Sequence, residues 1–125
     1  MIVDTNALSA AAEAESAVAA AFSQAEPVAI PVIVLGEYMF GISQSRRRRE
    51  YERWINHILR TFVVLEISVE TAARYAEVRL ELKVAGTPIP TNDLWIAALC
   101  RQHSLPVLSR DKHFDTVKGL RRISW

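Results

Sequence analysis

The sequence predicts an α/β fold of three layers, a central mostly parallel sheet flanked by helices, in a single domain spanning residues 1–125. Three observations lead there. Short apolar runs (MIV, VAI, FVVL, LPVL) recur between longer segments of helical character. These runs are apolar at consecutive residues rather than at alternate ones, as strands covered on both faces are. Residues that start or stop helices fall between the runs, at Asp4-Thr5-Asn6, Pro31, Ser68 and Gly86.

Met1 to Val3 reads as a first buried strand that ends in a helix cap at Asp4-Thr5-Asn6. The alanine-rich segment after it has strong helix propensity and predicts one helix to about Ser23, broken at Glu26-Pro27. Val28 to Ile30 is a second strand, and Pro31 suits the start of the helix VIVLGEYMFGI, which Gly41 and Ser43 end. From Arg46 to Leu59 the pattern is amphipathic. At about 100° per residue, Arg46, Arg49, Arg53 and Arg60 form one stripe, opposite Tyr51, Ile55, Ile58 and Phe62. Phe62 to Ile67 is a third strand. Ser68 caps a helix whose Val69, Ala73, Ala76 and Leu80 are expected to face the core, and Gly86 closes it. After a proline-marked loop, Thr91-Asn92-Asp93 opens the helix LWIAALCRQH. Leu105 to Leu108 and Leu120 to Ser124 supply the last two strands.

Composition excludes several classes. Half the residues are hydrophobic and 23% are charged, which is a globular rather than a disordered balance. The net charge of +1 means that a nucleic-acid ligand would have to be met by a local patch. The lone Cys100 allows no internal disulfide and reads as a helix core residue. The N-terminus has no basic start and is interrupted by Asp4, Glu13 and Glu15, so neither a targeting peptide nor a membrane span is expected. A cytoplasmic protein is the expectation.

Four carboxylates stand out. Glu37 is the only charge from Pro27 to Ser43, in the most apolar run of the chain. A helix built from that run should bury most of itself, and an unpartnered buried carboxylate costs several kcal/mol or more. Asp4 has no charged neighbour until Glu13, and Asp93 is the only charge between Lys83 and Arg101. Asp111 comes after the apolar Pro106-Val107-Leu108. Taken singly, Asp4 reads equally as a turn residue, Asp93 as a helix cap and Asp111 as a loop charge; Glu37 is harder to explain, being neither cap nor turn residue, and its alternative is a buried ion pair with a distant Arg. In a parallel sheet, however, residues just beyond the strands gather at one edge, where such folds bind ligands. Acids converging there would repel unless a cation joined them. A hard divalent ion such as Mg²⁺ takes oxygen ligands and resolves the conflict. His57, His103 and His113 lack the spacing of a zinc site. With such an ion, hydrolysis of a phosphodiester needs no serine, cysteine or histidine nucleophile.

The pieces IVDTN, the Glu37 helix after the second strand, TNDLWIAA and LSRDKHF occur in an order and spacing that resembles the PIN-domain proteins of the VapC toxin type, over essentially the whole chain. The resemblance implies a parallel sheet flanked by helices, with an acidic cluster at its edge that binds Mg²⁺ or Mn²⁺. It assigns that cluster to Asp4, Glu37, Asp93 and Asp111, with Asp4 and Asp93 as the most direct ligands and the other two direct or through water. Asn6, Ser109 and Asp115 become supporting residues. The implied activity is that of a metal-dependent endoribonuclease, the toxin of a type II toxin–antitoxin pair. Its implied partners are RNA, a cognate antitoxin and a second copy of itself.

Arg46, Arg49 and Arg53 form a candidate RNA contact because guanidinium matches phosphate geometry, although a basic helix stripe is also an ordinary solvated face. Two other readings compete. A Mg²⁺ phosphatase would use Asp4 as nucleophile, but it wants a second aspartate two residues on, where this chain has Asn6. A non-catalytic interaction module would use the acidic pocket to grip a partner's arginine. Trp54, Trp95 and Trp125 are candidate anchors for a dimer.

Overall fold

The computed structural model describes residues 1–25 and 27–125. Their elements run β1 (Ile2–Val3), α1 (Thr5–Ala12), α2 (Ser16–Gln24), β2 (Ala29–Pro31), α3 (Val32–Ser43), α4 (Arg48–Ile58), β3 (Val63–Leu65), α5 (Val69–Ala85), α6 (Thr91–His103), β4 (Val107–Leu108), a 3-10 turn (Lys112–Thr116) and β5 (Arg122–Ile123). Among the described residues no helix is long and apolar enough to cross a membrane.

All pairings in the five-stranded sheet are parallel, in the order β3-β2-β1-β4-β5. Central β1 pairs Ile2 with Ala29 on one side and with Val107 on the other. The order carries the functional geometry. From β1 the chain winds outward to β2 and β3, then crosses back to β4 and winds the other way. Right-handed crossovers therefore send α1–α4 to one face and α5 and α6 to the other. In agreement, α1, α3 and α4 pack together, and α5 lies along α6. The winding reverses between β1 and β4, and the crevice at their carboxyl ends is where an open parallel sheet accepts a ligand. Asp4 and Ser109 are the first residues beyond those two strands.

The core joins Ile2, Val3, Ile30, Val107 and Leu108 of the sheet to Leu8, Val34, Ile55, Val78, Ile96, Leu99 and Phe114, all essentially inaccessible. Cys100 is among them, as expected, and burial pushes its thiol pKa up. Capping chemistry holds where it was expected on α5. Ser68 and Thr71 form a reciprocal capping box, and Gly86 closes the helix at φ +72°, in the left-handed region where glycine is favoured.

Three local expectations are corrected. The alanine-rich segment forms two helices, with Ala14 at φ +57° between them. No breaker explains this; the bend is held from outside. Glu13 accepts from Arg47 and from the Tyr51 hydroxyl, while Glu15 accepts from Arg110 and from the Trp125 indole. Tertiary contacts thus override propensity. Glu26, part of the break expected with Pro27, lies outside the described residues.

The second correction concerns α3, which buries only Val34, Tyr38 and Ile42. Phe40 is 69% exposed, and Glu37 is half-buried rather than buried. One face in i, i+4, i+8 register meets the core and the other is left uncovered. The third correction is to α5. Val69, Ala73, Ala76 and Leu80 point outward, and Thr71, Val78 and Leu82 point in. The inward face was hidden because it begins with a threonine, whose hydroxyl donates to Gln102 at 2.5 Å. It also carries Tyr75, which stacks on Trp95 with ring centroids 4.0 Å apart.

Candidate active site

The first strand delivers Asp4 to the β1/β4 crevice with its carboxylate almost inaccessible, at 6% exposure. It caps α1, with Oδ1 accepting from the Thr5 amide at 2.8 Å. Oδ2 accepts from Ser109 Oγ at 2.6 Å and Asn6 Nδ2 at 3.3 Å. Ser109, fully buried after β4, is the hub of this corner. Its hydroxyl also accepts from Asn6 Nδ2 at 3.2 Å and from the Asp111 amide at 2.9 Å. Asn6 Oδ1 in turn accepts from the Arg110 amide. The loop after β4 is thereby tied to the loop after β1.

Asp111 caps the 3-10 turn by accepting from the His113 amide at 2.9 Å. That turn brings the His113 ring against both acids, with Nδ1 3.0 Å from Asp93 Oδ2 and 2.9 Å from Asp111 Oδ1. Asp93 lies in the first turn of α6 but does not cap it; the cap position is Pro90, which makes no side-chain bond. The capping alternative thus fails for Asp93, while Asp4 and Asp111 combine a capping role with a place in the crevice. Glu37 enters from α3. Its Oε2 accepts from Thr5 Oγ1 at 2.6 Å and its Oε1 accepts from the Asn92 amide group. These donors answer the puzzle of a carboxylate in an apolar run, since Glu37 is half-buried and hydrogen-bonded on both oxygens.

The electrostatics show acids under mutual pressure. Burial raises the Asp4 pKa, opposed by the bonds from Ser109 and Thr5, and the neighbouring Glu37 and Asp111 raise it further. Asp93 is raised in the same way by burial, opposed by the His113 bond, with Asp111 and Asp4 adding to the rise. The Asp93 bond pushes His113 up in turn. Asp93, Asp111 and His113 each offer a ligand atom within 4.8 Å of the other two. Asp4 and Glu37 border this trio through Ser109 and Asn92. Crowded oxygen donors whose charges oppose one another are the donor set that a hard divalent cation fits.

All four sequence-flagged carboxylates therefore face one crevice. Asp115 does not join them, because Arg122 takes its carboxylate at 2.8 Å and 3.0 Å and holds its pKa down. Arg122 also donates to the Ser109 carbonyl, which makes Asp115 a brace for the loop after β4. Arg46, Arg49 and Arg53 are exposed and join none of the ion pairs among the described residues. Arg47 and Arg48 pair instead with Glu13, Glu50 and Glu52. A groove of about 320 Å³ runs from Thr5 and Glu37 past Tyr38 and Ile42 to Ser45 and Tyr51, linking the crevice to the start of α4. The three tryptophans are engaged within the chain: Trp54 with Tyr38, Trp95 with Tyr75 and Trp125 with Arg110.

Sequence reasoning missed Thr5, Asn92 and His113. The first two adjoin flagged acids. His113 was set aside for want of a second histidine, when its partner was a carboxylate twenty residues earlier. The phosphatase reading loses ground, because Asn6, at the position where that chemistry wants a second acid, is an amide that donates to Asp4 Oδ2.

Comparison with known proteins agrees with this geometry. Ribonuclease VapC2 of Rickettsia felis is 28% identical over 99 residues, which are 78% of this chain and 74% of its own. Toxin FitB of Neisseria gonorrhoeae is 33% identical over 92 residues, 69% of this chain and 66% of its own. The crystal structure of VapBC2 from R. felis bound to a DNA fragment from their promoter matches in fold with a TM-score of 0.89 at 22% identity. That match covers 99% of this chain and 97% of the other. A family model described as PIN domain covers residues 1–120, and with the parallel sheet and the acidic crevice already in place, the chain belongs to the PIN domain family.

Proposed function

We propose that this protein is a divalent-metal-dependent endoribonuclease, the toxin of a type II toxin–antitoxin pair, acting on RNA in the cytoplasm. The observation that carries the reading is the convergence of Asp4, Glu37, Asp93 and Asp111 from four separate elements on the β1/β4 crevice. Relatives named as a VapC ribonuclease and as a toxin support the activity and the biological class. Asp93 and Asp111, whose oxygens come together with His113, would hold Mg²⁺ or Mn²⁺, a change from the Asp4–Asp93 pair that the resemblance implied, with Asp4 and Glu37 direct or through water. When bound, the ion supplies Lewis acidity toward a phosphoryl oxygen and eases deprotonation of water. The chain's own residues do the positioning. Ser109 and Asn6 lock Asp4, and Thr5 and Asn92 fix Glu37 at the mouth of the groove, where it can orient an attacking water and accept its proton at Oε1 or Oε2. RNA approaches the crevice from solvent, with the exposed Arg46, Arg49 and Arg53 of the neighbouring α4 segment as phosphate contacts.

The partners fit the same reading. A cognate antitoxin silences the site. A second copy docks on α5, whose outward stripe of Val69, Ala73, Ala76, Leu80 and Val84 carries no charge and leaves Val69 90% and Val84 81% exposed.

Incubation of the purified protein with a mixed RNA pool in Mg²⁺, Mn²⁺ or EDTA, beside Asp4→Asn, tests the proposal. Cleavage is expected with either ion, and not in EDTA or with the variant. Cleavage that ignores both EDTA and Asp4→Asn defeats it, and so does an RNA pool left intact in every lane, which is what a pure interaction module would give.

A further inference from the structure

The trio at the centre of the crevice contains one donor that is not an oxygen. His113 reaches it through two local features: Asp111 caps the 3-10 turn, and Phe114, fully buried, anchors that turn from beneath. The ring is then carried over α6 so that a single nitrogen, Nδ1, lies 3.0 Å from Asp93 and 2.9 Å from Asp111. Neighbouring ligand atoms about an octahedral ion with bonds of 2.0–2.1 Å stand about 3.0 Å apart. The nitrogen thus occupies a ligand's position relative to both acids. Its side chain is 50% exposed, so the ring can make small adjustments without disturbing the core. Arg122, the guanidinium whose charge reaches Asp111, is already engaged by Asp115 and the Ser109 carbonyl.

We infer that His113 is a nitrogen ligand of the ion held by Asp93 and Asp111, and that it makes the site prefer Mn²⁺ to Mg²⁺. This rests on the metal-dependent reading given above and adds a ligand and a selectivity to it. Mg²⁺ gains little from a nitrogen donor, because it favours oxygen and gives up its waters reluctantly. Imidazole suits first-row transition ions rather than Mg²⁺, and Mn²⁺ is the one of that row that also shares the preference of Mg²⁺ for carboxylates, which form the rest of the set. A competing role for His113 is purely as a hydrogen-bond donor that steadies the two acids and leaves when an ion enters.

Pulsed electron paramagnetic resonance of the full-length protein loaded with Mn²⁺ separates the two roles. Protein labelled with ¹⁵N-histidine is compared with unlabelled protein, and calorimetric titrations with Mn²⁺ and Mg²⁺ are run alongside. The expected result is strong ¹⁴N modulation from a coordinated imidazole, replaced by ¹⁵N coupling on labelling and absent in His113→Gln. The variant should bind Mn²⁺ about tenfold or more weakly while its Mg²⁺ affinity barely changes. The labelled wild-type spectrum decides whether a histidine ligates, and loss of the coupling in His113→Gln assigns it to His113 rather than His57 or His103. Mn²⁺ that binds in an Asp93-dependent manner without histidine coupling overturns the inference and leaves the metal-site reading standing. An equal loss of affinity for both ions in His113→Gln likewise overturns the selectivity. If neither ion binds the wild type, or Asp93→Asn binds as well as the wild type, the metal-site reading itself falls.

Discussion

Replacing Asp93 with asparagine changes one charge and almost no volume, and the crevice makes the two consequences opposite in sign. In the ion-free protein Asp93 and Asp111 present oxygens within 4.8 Å of each other. Two unit charges at that separation repel by about 1 kcal/mol in water and by about 3.5 kcal/mol at an effective dielectric constant of ~20. The site lies between those limits, since the Asp93 side chain is 14% exposed and that of Asp111 33%. Against this relief, at a pH above the raised His113 pKa where the ring is neutral, the substituted amide would keep a neutral acceptor for His113 but lose the charged one, a difference of about 1 kcal/mol. The net change is between zero and about 2.5 kcal/mol in favour of the variant. For 125 residues the unfolding entropy is roughly 0.26 kcal/mol per degree, so Asp93→Asn should melt between the wild-type Tm and about 10 °C above it in EDTA.

Adding ion erases or reverses the ranking. A ligand at a hundred times its Kd stabilises the folded state by about 2.7 kcal/mol, or about 10 °C here, and the variant, lacking one ligand, should not share that gain at the same concentration. Thermal melts of both proteins in EDTA, Mg²⁺ and Mn²⁺ make the measurement. A variant that melts about 4 °C or more below the wild type in EDTA, yet shifts equally with ion, would refute the reasoning. Asp93 would then be a structural residue at the start of α6.

Four further outcomes are expected. Ser109→Ala removes a fully buried hydroxyl that serves Asp4, Asn6 and the Asp111 amide; it should cost about 1–3 kcal/mol in urea unfolding and reduce RNA cleavage. Tyr38→Phe removes a buried hydroxyl with no hydrogen-bond partner among the described residues, so the variant should be as stable as the wild type or about 1 kcal/mol more stable in the same assay. In EDTA the His113 contribution to the Tm should fall as pH rises from 6.5. The bond to Asp93 raises the His113 pKa, so its stabilisation is complete below pH 6.5 and is lost through the raised value. Burial raises the Asp93 pKa from 3.8, so ionising it costs stability in the same direction, and His113→Gln should flatten the upper part of the profile in melts run across that range. Leu80→Glu places a charge in the uncovered α5 stripe, where Leu80 is 62% exposed, and should convert a dimer to a monomer in sedimentation with little change in Tm.

The strands and the crevice were legible because burial leaves a strong mark on short parallel strands. Runs such as Ile2-Val3 and Val107-Leu108 admit few other readings, and the residues just beyond them must emerge at one edge. The helix faces were less legible. An alanine stripe on α5 resembles a core face by hydropathy, yet the larger Tyr75, Val78 and Leu82 offer more area and pack inward, with Tyr75 stacked on Trp95 of α6. The Ala14 bend was illegible because nothing local causes it; its anchors, Arg47, Tyr51, Arg110 and Trp125, lie more than thirty residues away.

The acids were visible for a reason that also explains why other site residues stayed hidden. A carboxylate set alone in an apolar window is expensive, so Asp4, Glu37 and Asp93 announce a compensating partner from the sequence alone. A residue in a polar window carries no such mark. His113 sits in SRDKHFD, where every neighbour could account for it, and only the crossover from β3 to β4 reveals that α6 brings Asp93 beneath its ring. Asp115 shows the converse: in the same polar window it looked like part of the site, but its charge is held by Arg122. Charge in apolar sequence therefore points to this site, whereas three of the donors that tune it, Thr5, Asn92 and His113, emerge only when the fold brings separate elements together.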